Sequence, residues 1–241
     1  MVSNMKVALC LHGLFDSTTD NSSLGIYGYA YIKEHILDKF DTDVYIHSWE
    51  VDKKDMLVGL YNPKRYLFEP QISFNDMIVD NKLDSLQNPS RPPKSVLSHF
   101  YSIQKSFELL YETDIDYDFV IKARFDLGQI NRITSPYNVE CIDFNVINPQ
   151  NKLNMAWWPD KWMLKEGPPD VWFYSGYVLM ESFTTIYDSI SNYMLLNSNF
   201  RNFISSTLGE KYISNASVLY KKFLEDNNLW DSRNTLVCKK N

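Results

Sequence analysis

The side chains of this chain that could do chemistry stand closest together at the end of one apolar segment. Tyr117 to Leu127 reads YDFVIKARFDL, and its apolar, β-branched first half is typical of a strand buried on both faces of a parallel sheet. Lys122, Arg124 and Asp126 follow at spacings of two, so they share one face if the strand continues that far. This pattern predicts either an internal Arg–Asp pair that closes the strand or a site for a phosphate-bearing substrate, which open α/β sheets bind at such ends.

Two earlier apolar segments also end in polar or aromatic residues. KVALCL is followed by His12 and Gly13, and DTDVYIHSW ends at Trp49 and is followed by Glu50. A helix is predicted between them, reaching about Phe40, which makes a β-α-β unit with parallel strands. Since the carboxyl ends of parallel strands meet at one edge, one rim is expected to bring together His12, Gly13, Trp49, Glu50, Arg124 and Asp126.

This rim could hold a base or ribose by stacking and hydrogen bonds, or a diphosphate by charge. The alternative for Trp49 is a place in the core, and for Glu50 a solvated carboxylate. Four histidines are scattered without the spacing of metal ligands, and only His12 and His47 are expected at this edge of the sheet. The sequence contains no GxGxxG, Walker A, GxSxG or HExxH motif.

The remaining pattern predicts an α/β fold with a mostly parallel central sheet flanked by helices, Rossmann-like in type. Further strands are expected at Arg65–Phe68, Asp170–Ser175 and Leu236–Cys238. Further helices are expected at Ser95–Glu112, Gly176–Asn197 and Asn215–Asn227.

Composition limits the class of protein. The 241 residues are 44% hydrophobic and 15% aromatic, which is enough for one sizeable core and argues against disorder. A net charge of −6 argues against a nucleic-acid-binding surface, and no apolar run is long enough to span a bilayer. Three distant cysteines, with no CxxC pair and no signal peptide, favour a reducing compartment. We therefore expect a cytoplasmic protein without a transmembrane segment.

Several segments, taken in order, resemble a known family. The first two are KVALCLHG and DVYIHSWE, and the third is the helical segment SHFYSIQKSFEL, which is followed by YDFVIKARFDL. The last two are DVWFYSG and an apolar terminal helix after Glu210. In this order they resemble the GT-A class of nucleotide-sugar glycosyltransferases, particularly small bacterial and giant-virus enzymes that build surface glycans. The resemblance implies a single GT-A-like domain over 1–241, with a nucleotide-binding half at 1–127 and an acceptor-side half at 128–241. It also implies a UDP- or GDP-sugar donor, a glycan acceptor and, for a viral enzyme, the host cytoplasm.

In that class a DxD motif ends the central strand and holds Mn²⁺ or Mg²⁺ against the donor diphosphate, whose developing charge must be neutralised. This chain has RFD there, so Arg124 replaces the first aspartate and Asp126 remains as the implied metal ligand. Arg124 could instead bind phosphate directly through its forked guanidinium. Asp126 could then hold a weakly bound metal or the ribose hydroxyls.

The resemblance also implies an acidic residue near the acceptor. Asp170 is the expected general base and Asp160 the fallback; the alternative for Asp170 is a strand-opening or helix-capping role. Trp157 and Trp158, with Trp162 nearby, suit the flat faces of sugar rings, or else form a satellite core under a long loop. Tyr174 and Ser175 complete the expected substrate-binding residues, and Asp170 and Asp126 are the expected catalytic pair.

Two other functions remain open at this point. The chain could be a non-catalytic glycan- or nucleotide-binding module on the same fold, because the full DxD motif is missing. It could also be an unrelated transferase of phosphate- or sulfate-bearing groups, which the lack of a phosphate-cradling glycine loop disfavours.

Overall fold

The computed structural model describes residues 3–16, 24–87, 89–128, 151–156, 165–231 and 233–236. Within these ranges seven strands form one sheet, in the order β3-β2-β1-β4-β6-β5-β7. Neighbouring strands are parallel except at β6, which runs antiparallel to both β4 and β5. The strands are β1 (Ser3–Gly13), β2 (Phe40–Ser48), β3 (Arg65–Phe68), β4 (Phe119–Arg124), β5 (Asn154–Ala156), β6 (Trp172–Ser175) and β7 (Asn234–Leu236).

Helices cover both faces of this sheet. They are α1 (Leu24–Ile32, continued by a π-helix at Lys33–Leu37), α2 (Lys54–Tyr61), α3 (Asn75–Asp80), α4 (Pro93–Tyr111), α5 (Tyr177–Met180), α6 (Ile186–Met194), α7 (Asn199–Thr207) and α8 (Ala216–Asp226). Among the residues described above, none of these helices combines the length and the apolar character needed to cross a membrane.

The core has two layers, because successive residues of each central strand point to opposite faces. In β1, Val7, Leu9 and Leu11 pack into the layer beneath α1 and α2. Ala8 and Cys10 pack into the other layer, beneath α4 and the helices that follow β6. All five side chains are buried, as expected of a central parallel strand between two helical layers.

Most of the predicted elements are confirmed, including the parallel pairing of the first β-α-β unit. The first helix was predicted to reach Phe40, and this is wrong, because the helical segment ends at Leu37 and Phe40 opens β2. The predicted strand and helix at the centre, β4 and α4, are both present. Both predicted halves contribute strands to the one sheet, which they join at the β4–β6 pair.

The single helix predicted over Gly176–Asn197 is also wrong. The structure divides it into α5, a 3-10 turn at Glu181–Thr185, and α6. In the turn, the hydroxyls of Ser182, Thr184 and Thr185 each donate to the carbonyl three residues earlier. Such local hydrogen bonds compete with a continuous helix, and the periodicity of apolar residues does not reveal them.

Candidate functional site

A cleft opens where the strand order reverses. The chain places β2 and β3 on one side of β1 and then returns to place β4 on the other side, so β1 and β4 form the switch point of the sheet. The cleft at their carboxyl ends has a volume of about 340 Å³, within the range of small-molecule sites. Its lining consists of His12, Gly13, Leu14, Phe15, Trp49, Gln71, Lys94, Ser95, Ser98, His99, Arg124 and Asp126.

Three polar side chains form one row across the sheet below this cleft. His12 is in register with His47 of β2 on one side and with Arg124 of β4 on the other. Residues in register on parallel strands point to the same face, and here that face is the one covered by α4. The ring of His12 meets the ring of His99 from α4 edge-on, with 5.1 Å between centroids.

The RFD segment turns sharply after β4. Arg124 Nε donates to Asp126 Oδ1 at 2.8 Å, and Arg124 Nη2 donates to the other carboxylate oxygen, so the guanidinium holds Asp126 in a fork. Phe125 points into the opposite core layer. A Cβ at Gly28 of α1 would lie 1.8 Å from the Phe125 carbonyl oxygen, so only glycine permits this close approach beneath the turn.

Asp170 reaches the same rim because β6 is antiparallel. The amino end of β6, and not its carboxyl end, therefore lies beside the carboxyl end of β4. Asp170 Oδ1 lies 3.7 Å from Arg124 Nη1, and Asp170 Oδ2 lies 3.8 Å from His99 Nε2. Burial alone would raise the pKa of Asp170, but the guanidinium of Arg124, together with the nearby side chains of His99 and Lys122, holds this pKa below its usual range.

A buried lysine lies beneath these charges. Lys122 Nζ donates to the Asp170 carbonyl oxygen at 2.6 Å and lies 5.2 Å from the ring centroids of both Phe173 and Tyr220. Burial lowers the pKa of Lys122 to about 7, because the attraction of Asp170 offsets only part of the lost hydration. Lys122 and Arg124 therefore share the α4 side, as their alternation predicts, whereas Asp126 lies in the turn after β4, where Arg124 holds it.

The amino-terminal half of α4 forms the opposite wall through the α4 polar stripe, which consists of Lys94, Ser95, Ser98 and His99. Burial lowers the pKa of His99 more than the nearby Asp170 carboxylate raises it, so the imidazole is neutral near pH 7. The apolar periodicity of this helix did not predict a place for His99 in the site, and the spacing of the four histidines marked it as isolated. Polar residues at spacings of three and four beside the apolar stripe were the signal that could have revealed this wall.

His12 is the most unusual side chain in the cleft. It is 1% exposed, and neither ring nitrogen has a hydrogen-bond partner in the part of the chain that the structure describes. Burial and the nearby charge of Lys122 hold the pKa of His12 well below its usual value, so the ring is neutral. A neutral imidazole carries one donor and one acceptor, and both are normally satisfied when buried.

His47, by contrast, belongs to a complete buried network. Its Nδ1 lies 2.6 Å from Ser102 Oγ and its Nε2 lies 3.0 Å from Glu69 Oε1. Burial lowers the pKa of His47 more than the Glu69 hydrogen bond raises it, so the neutral ring donates to Glu69 and accepts from Ser102. Ser102 Oγ also accepts the Gly13 N–H at 2.8 Å, which fixes the end of β1, where Gly13 has a φ of +96°.

This network gives a stability prediction. Replacement of Ser102 by alanine leaves the Gly13 N–H and His47 Nδ1 without their partner in a buried place. The free energy of unfolding is expected to fall by about 1–3 kcal/mol, measured by urea denaturation. Ser106→Ala is the matched control on the same helix, because the buried Ser106 Oγ donates only to the Ile103 carbonyl. An equal loss in both variants would contradict the special role of Ser102.

The structure brings together five of the predicted rim residues in the lining of the cleft: His12, Gly13, Trp49, Arg124 and Asp126. Trp49 is 9% exposed and stacks on Tyr101 at 5.3 Å between centroids, so it is mainly a core residue with one edge in the cleft. Glu50 is absent from the lining of the cleft, and its carboxylate accepts hydrogen bonds from the Phe15 N–H and from Lys53.

Tyr174 and Ser175 do not join the cleft. In the antiparallel pair, Ser175 lies opposite Val120, four residues and about 13 Å along the strand from Arg124 at the rim. Tyr174 is buried against Phe119 and Trp172, and Ser175 Oγ donates to the Lys152 carbonyl at 2.8 Å. The predicted residues Trp157, Trp158, Asp160 and Trp162 lie outside the described residues.

The residues of the rim do not fit the divalent metal that the resemblance implies. Both carboxylate oxygens of Asp126 already accept hydrogen bonds from Arg124. A divalent cation prefers several oxygen ligands, and residues 3–16, 24–87, 89–128, 151–156, 165–231 and 233–236 contain no group of three or more His, Cys, Asp or Glu side chains that could hold one.

The chain was also compared with known proteins. No protein-family model matches the sequence, and no curated protein shows significant similarity to it.

Proposed function

We propose that this chain is a GT-A-like glycosyltransferase that moves a sugar from a UDP- or GDP-sugar to a glycan acceptor in the cytoplasm. The observation that carries the proposal is the cleft at the β1/β4 switch point, which is lined by His12, Trp49, Arg124 and Asp126. A nucleotide-binding crevice is expected at this place in an open α/β sheet. The polar groups that converge there suit a ligand with a base, a ribose and a diphosphate.

In this proposal the donor lies across the ends of β1 and β4. The edge of Trp49 contacts the base, and Asp126 accepts hydrogen bonds from the ribose hydroxyls. The positive charge of Arg124 stabilises the diphosphate as it leaves. The Asp170 side chain, which is 31% exposed and lies 3.7 Å from Arg124, is the group proposed to face the acceptor.

Asp170 is proposed as the general base of an inverting transfer. It takes the proton from an acceptor hydroxyl while that oxygen forms a bond to the anomeric carbon, and the bond from the anomeric carbon to the diphosphate breaks. The leaving nucleoside diphosphate keeps the electron pair of the broken bond. In the absence of ligand, the charge of Arg124 lowers the pKa of Asp170, against the opposing effect of burial. A bound diphosphate offsets the charge of Arg124, so the pKa of Asp170 rises and its carboxylate becomes a stronger base.

A two-stage experiment tests this function. Thermal shifts are measured with UDP, GDP, CMP and dTDP, each with and without Mn²⁺, and the sugar-nucleotides of the base that binds are then assayed for release of nucleoside diphosphate. We expect a shift with one nucleotide, turnover by the wild type, and a fall in turnover of about 100-fold or more in Asp170→Asn, in line with the usual contribution of general-base catalysis. No shift with any nucleotide would overturn the proposal.

The second candidate is a nucleotide- or glycan-binding module without catalysis. The observation that favours it is the ion pairing of the rim, since Arg124 contacts both Asp126 and Asp170, and its charge holds the pKa of Asp170 below the usual range, which makes that carboxylate a weak base. This alternative predicts nucleotide binding of similar affinity with no release of nucleoside diphosphate, by wild type or by Asp170→Asn.

A further inference from the structure

Two features of the cleft carry polar groups that have no hydrogen-bond or ion-pair partner among the described residues. One is the buried His12, and the other is the amino-terminal turn of α4 with the Lys94 ammonium group. We propose that these groups bind the diphosphate of the donor directly, without a divalent cation as a bridge. This inference rests on the proposed function, because the diphosphate is that of the nucleotide-sugar.

His12 supplies the first argument. Its two ring nitrogens are buried without a partner among the described residues, and its ring lies in the wall of the cleft. A buried polar group left unpaired is unfavourable, so a ligand that accepts its N–H is strongly favoured there. Phosphoryl oxygens are strong acceptors, and a neutral imidazole can donate to one without requiring a change of protonation.

The start of α4 supplies the second argument. This helix has 19 residues, begins at Pro93 after Pro92, and has no side-chain cap. The N–H groups of Ser95 and Val96 donate to the Pro92 carbonyl, so they are not free to bind an anion. The helix would therefore attract an anion mainly through its dipole and its side chains. An anion is favoured at this end of a helix, and Lys94 and Ser95 in its first turn line the cleft.

Lys94 supplies the charge. It is exposed, and it makes no ion pair with any residue that the structure describes. The carboxylates of Asp126 and Asp170 lie instead beside Arg124. Excess positive charge in the cleft therefore lies on the α4 side, although the chain as a whole has a net charge of −6. This arrangement favours a phosphate group beside Lys94.

Calorimetric titration tests the proposal with two probes, inorganic pyrophosphate and the nucleotide-sugar that the screen above identifies. Each is titrated in EDTA and again with Mn²⁺. We expect both probes to bind in EDTA, with affinities that change less than about threefold when Mn²⁺ is added. Lys94→Gln is expected to weaken both probes by about 10-fold or more, as for a lost charge-assisted hydrogen bond, and His12→Leu is expected to weaken them by a similar factor.

Lys39→Gln is the matched control, because Lys39 is an exposed lysine just before the amino end of β2, at the opposite end of that strand from the cleft. It makes the same change of net charge and is expected to leave both affinities unchanged. Binding that requires Mn²⁺, or binding that Lys94→Gln and His12→Leu leave intact, would overturn the inference while the proposed function stands. Cation-free pyrophosphate binding lost in both variants, with no binding of any nucleotide, would support the anion site and overturn the proposed function.

Discussion

Replacement of Arg124 by methionine is expected to weaken binding of the donor nucleotide by about 10- to 100-fold while the protein stays folded. A hydrogen bond to a charged group contributes about 1.5–3 kcal/mol, which corresponds to this range. The Arg124 side chain is 28% exposed, so water partly solvates the carboxylates that it leaves behind. The loss in free energy of unfolding is therefore expected to stay below the roughly 3–5 kcal/mol that follows removal of one partner from a fully buried ion pair.

The measurements are calorimetric titration of the donor nucleotide and urea denaturation of the same preparations. Arg124→Lys is the control, because it keeps the positive charge but loses the fork that holds Asp126. An intermediate affinity is expected for this variant. If Arg124→Met instead loses several kcal/mol of stability and binds the nucleotide as wild type does, Arg124 serves only as an internal partner of the two aspartates.

The second large effect concerns Lys122 and pH. Burial lowers its pKa in the folded protein to about 7, from the ordinary value of 10.5 that it regains on unfolding. Between these values the unfolded chain binds one more proton than the folded chain, so stability rises with pH. Relative to Lys122→Met, the free energy of unfolding of wild type is expected to rise by about 1.4 kcal/mol per pH unit from about pH 7 to about pH 10.

The test is urea denaturation of wild type and Lys122→Met at several pH values, with the two curves compared as a difference so that the other titrating groups cancel. NMR of ¹³C-labelled lysine side chains provides the independent check: one resonance should titrate near pH 7 in wild type and be absent from Lys122→Met. A stability difference that does not vary with pH would show that the Lys122 ammonium keeps its proton in the folded state.

The central strands of the fold could be predicted from the sequence, because a strand that is buried on both faces consists of a continuous run of apolar residues. Continuous apolar runs identify β1 and β4, and the polar residues at their ends identify the rim, since parallel strands expose their carboxyl ends together. The same signal cannot give the direction of a strand. The antiparallel pairing of β6 with β4 brings Asp170 to the rim and places Tyr174 and Ser175 away from it, and the sequence does not reveal this direction.

Other parts of the site were hidden for a different reason. The α4 polar stripe lies on a helix whose apolar periodicity is complete without it, so nothing in that pattern requires Ser98 or His99 to face a cleft. Glu50 was predicted to line the site but does not. A carboxylate at a strand end can accept a hydrogen bond from the backbone of a neighbouring loop instead of from a ligand, and Glu50 accepts one from the Phe15 N–H. β5 was missed because a three-residue strand is too short for alternation to show.

The ring of His12, whose two nitrogens have no hydrogen-bond partner among the described residues, has a consequence for anyone who engineers this chain. Each buried polar group without a partner destabilises the empty protein by about 1–3 kcal/mol, so an apolar residue at position 12 should make it more heat-resistant. A directed-evolution screen that ranks variants by thermostability alone would therefore enrich replacements of His12 and discard the group that we expect to bind the donor. Selection on ligand binding, carried out alongside heat challenge, would keep the histidine and place the stabilising changes elsewhere.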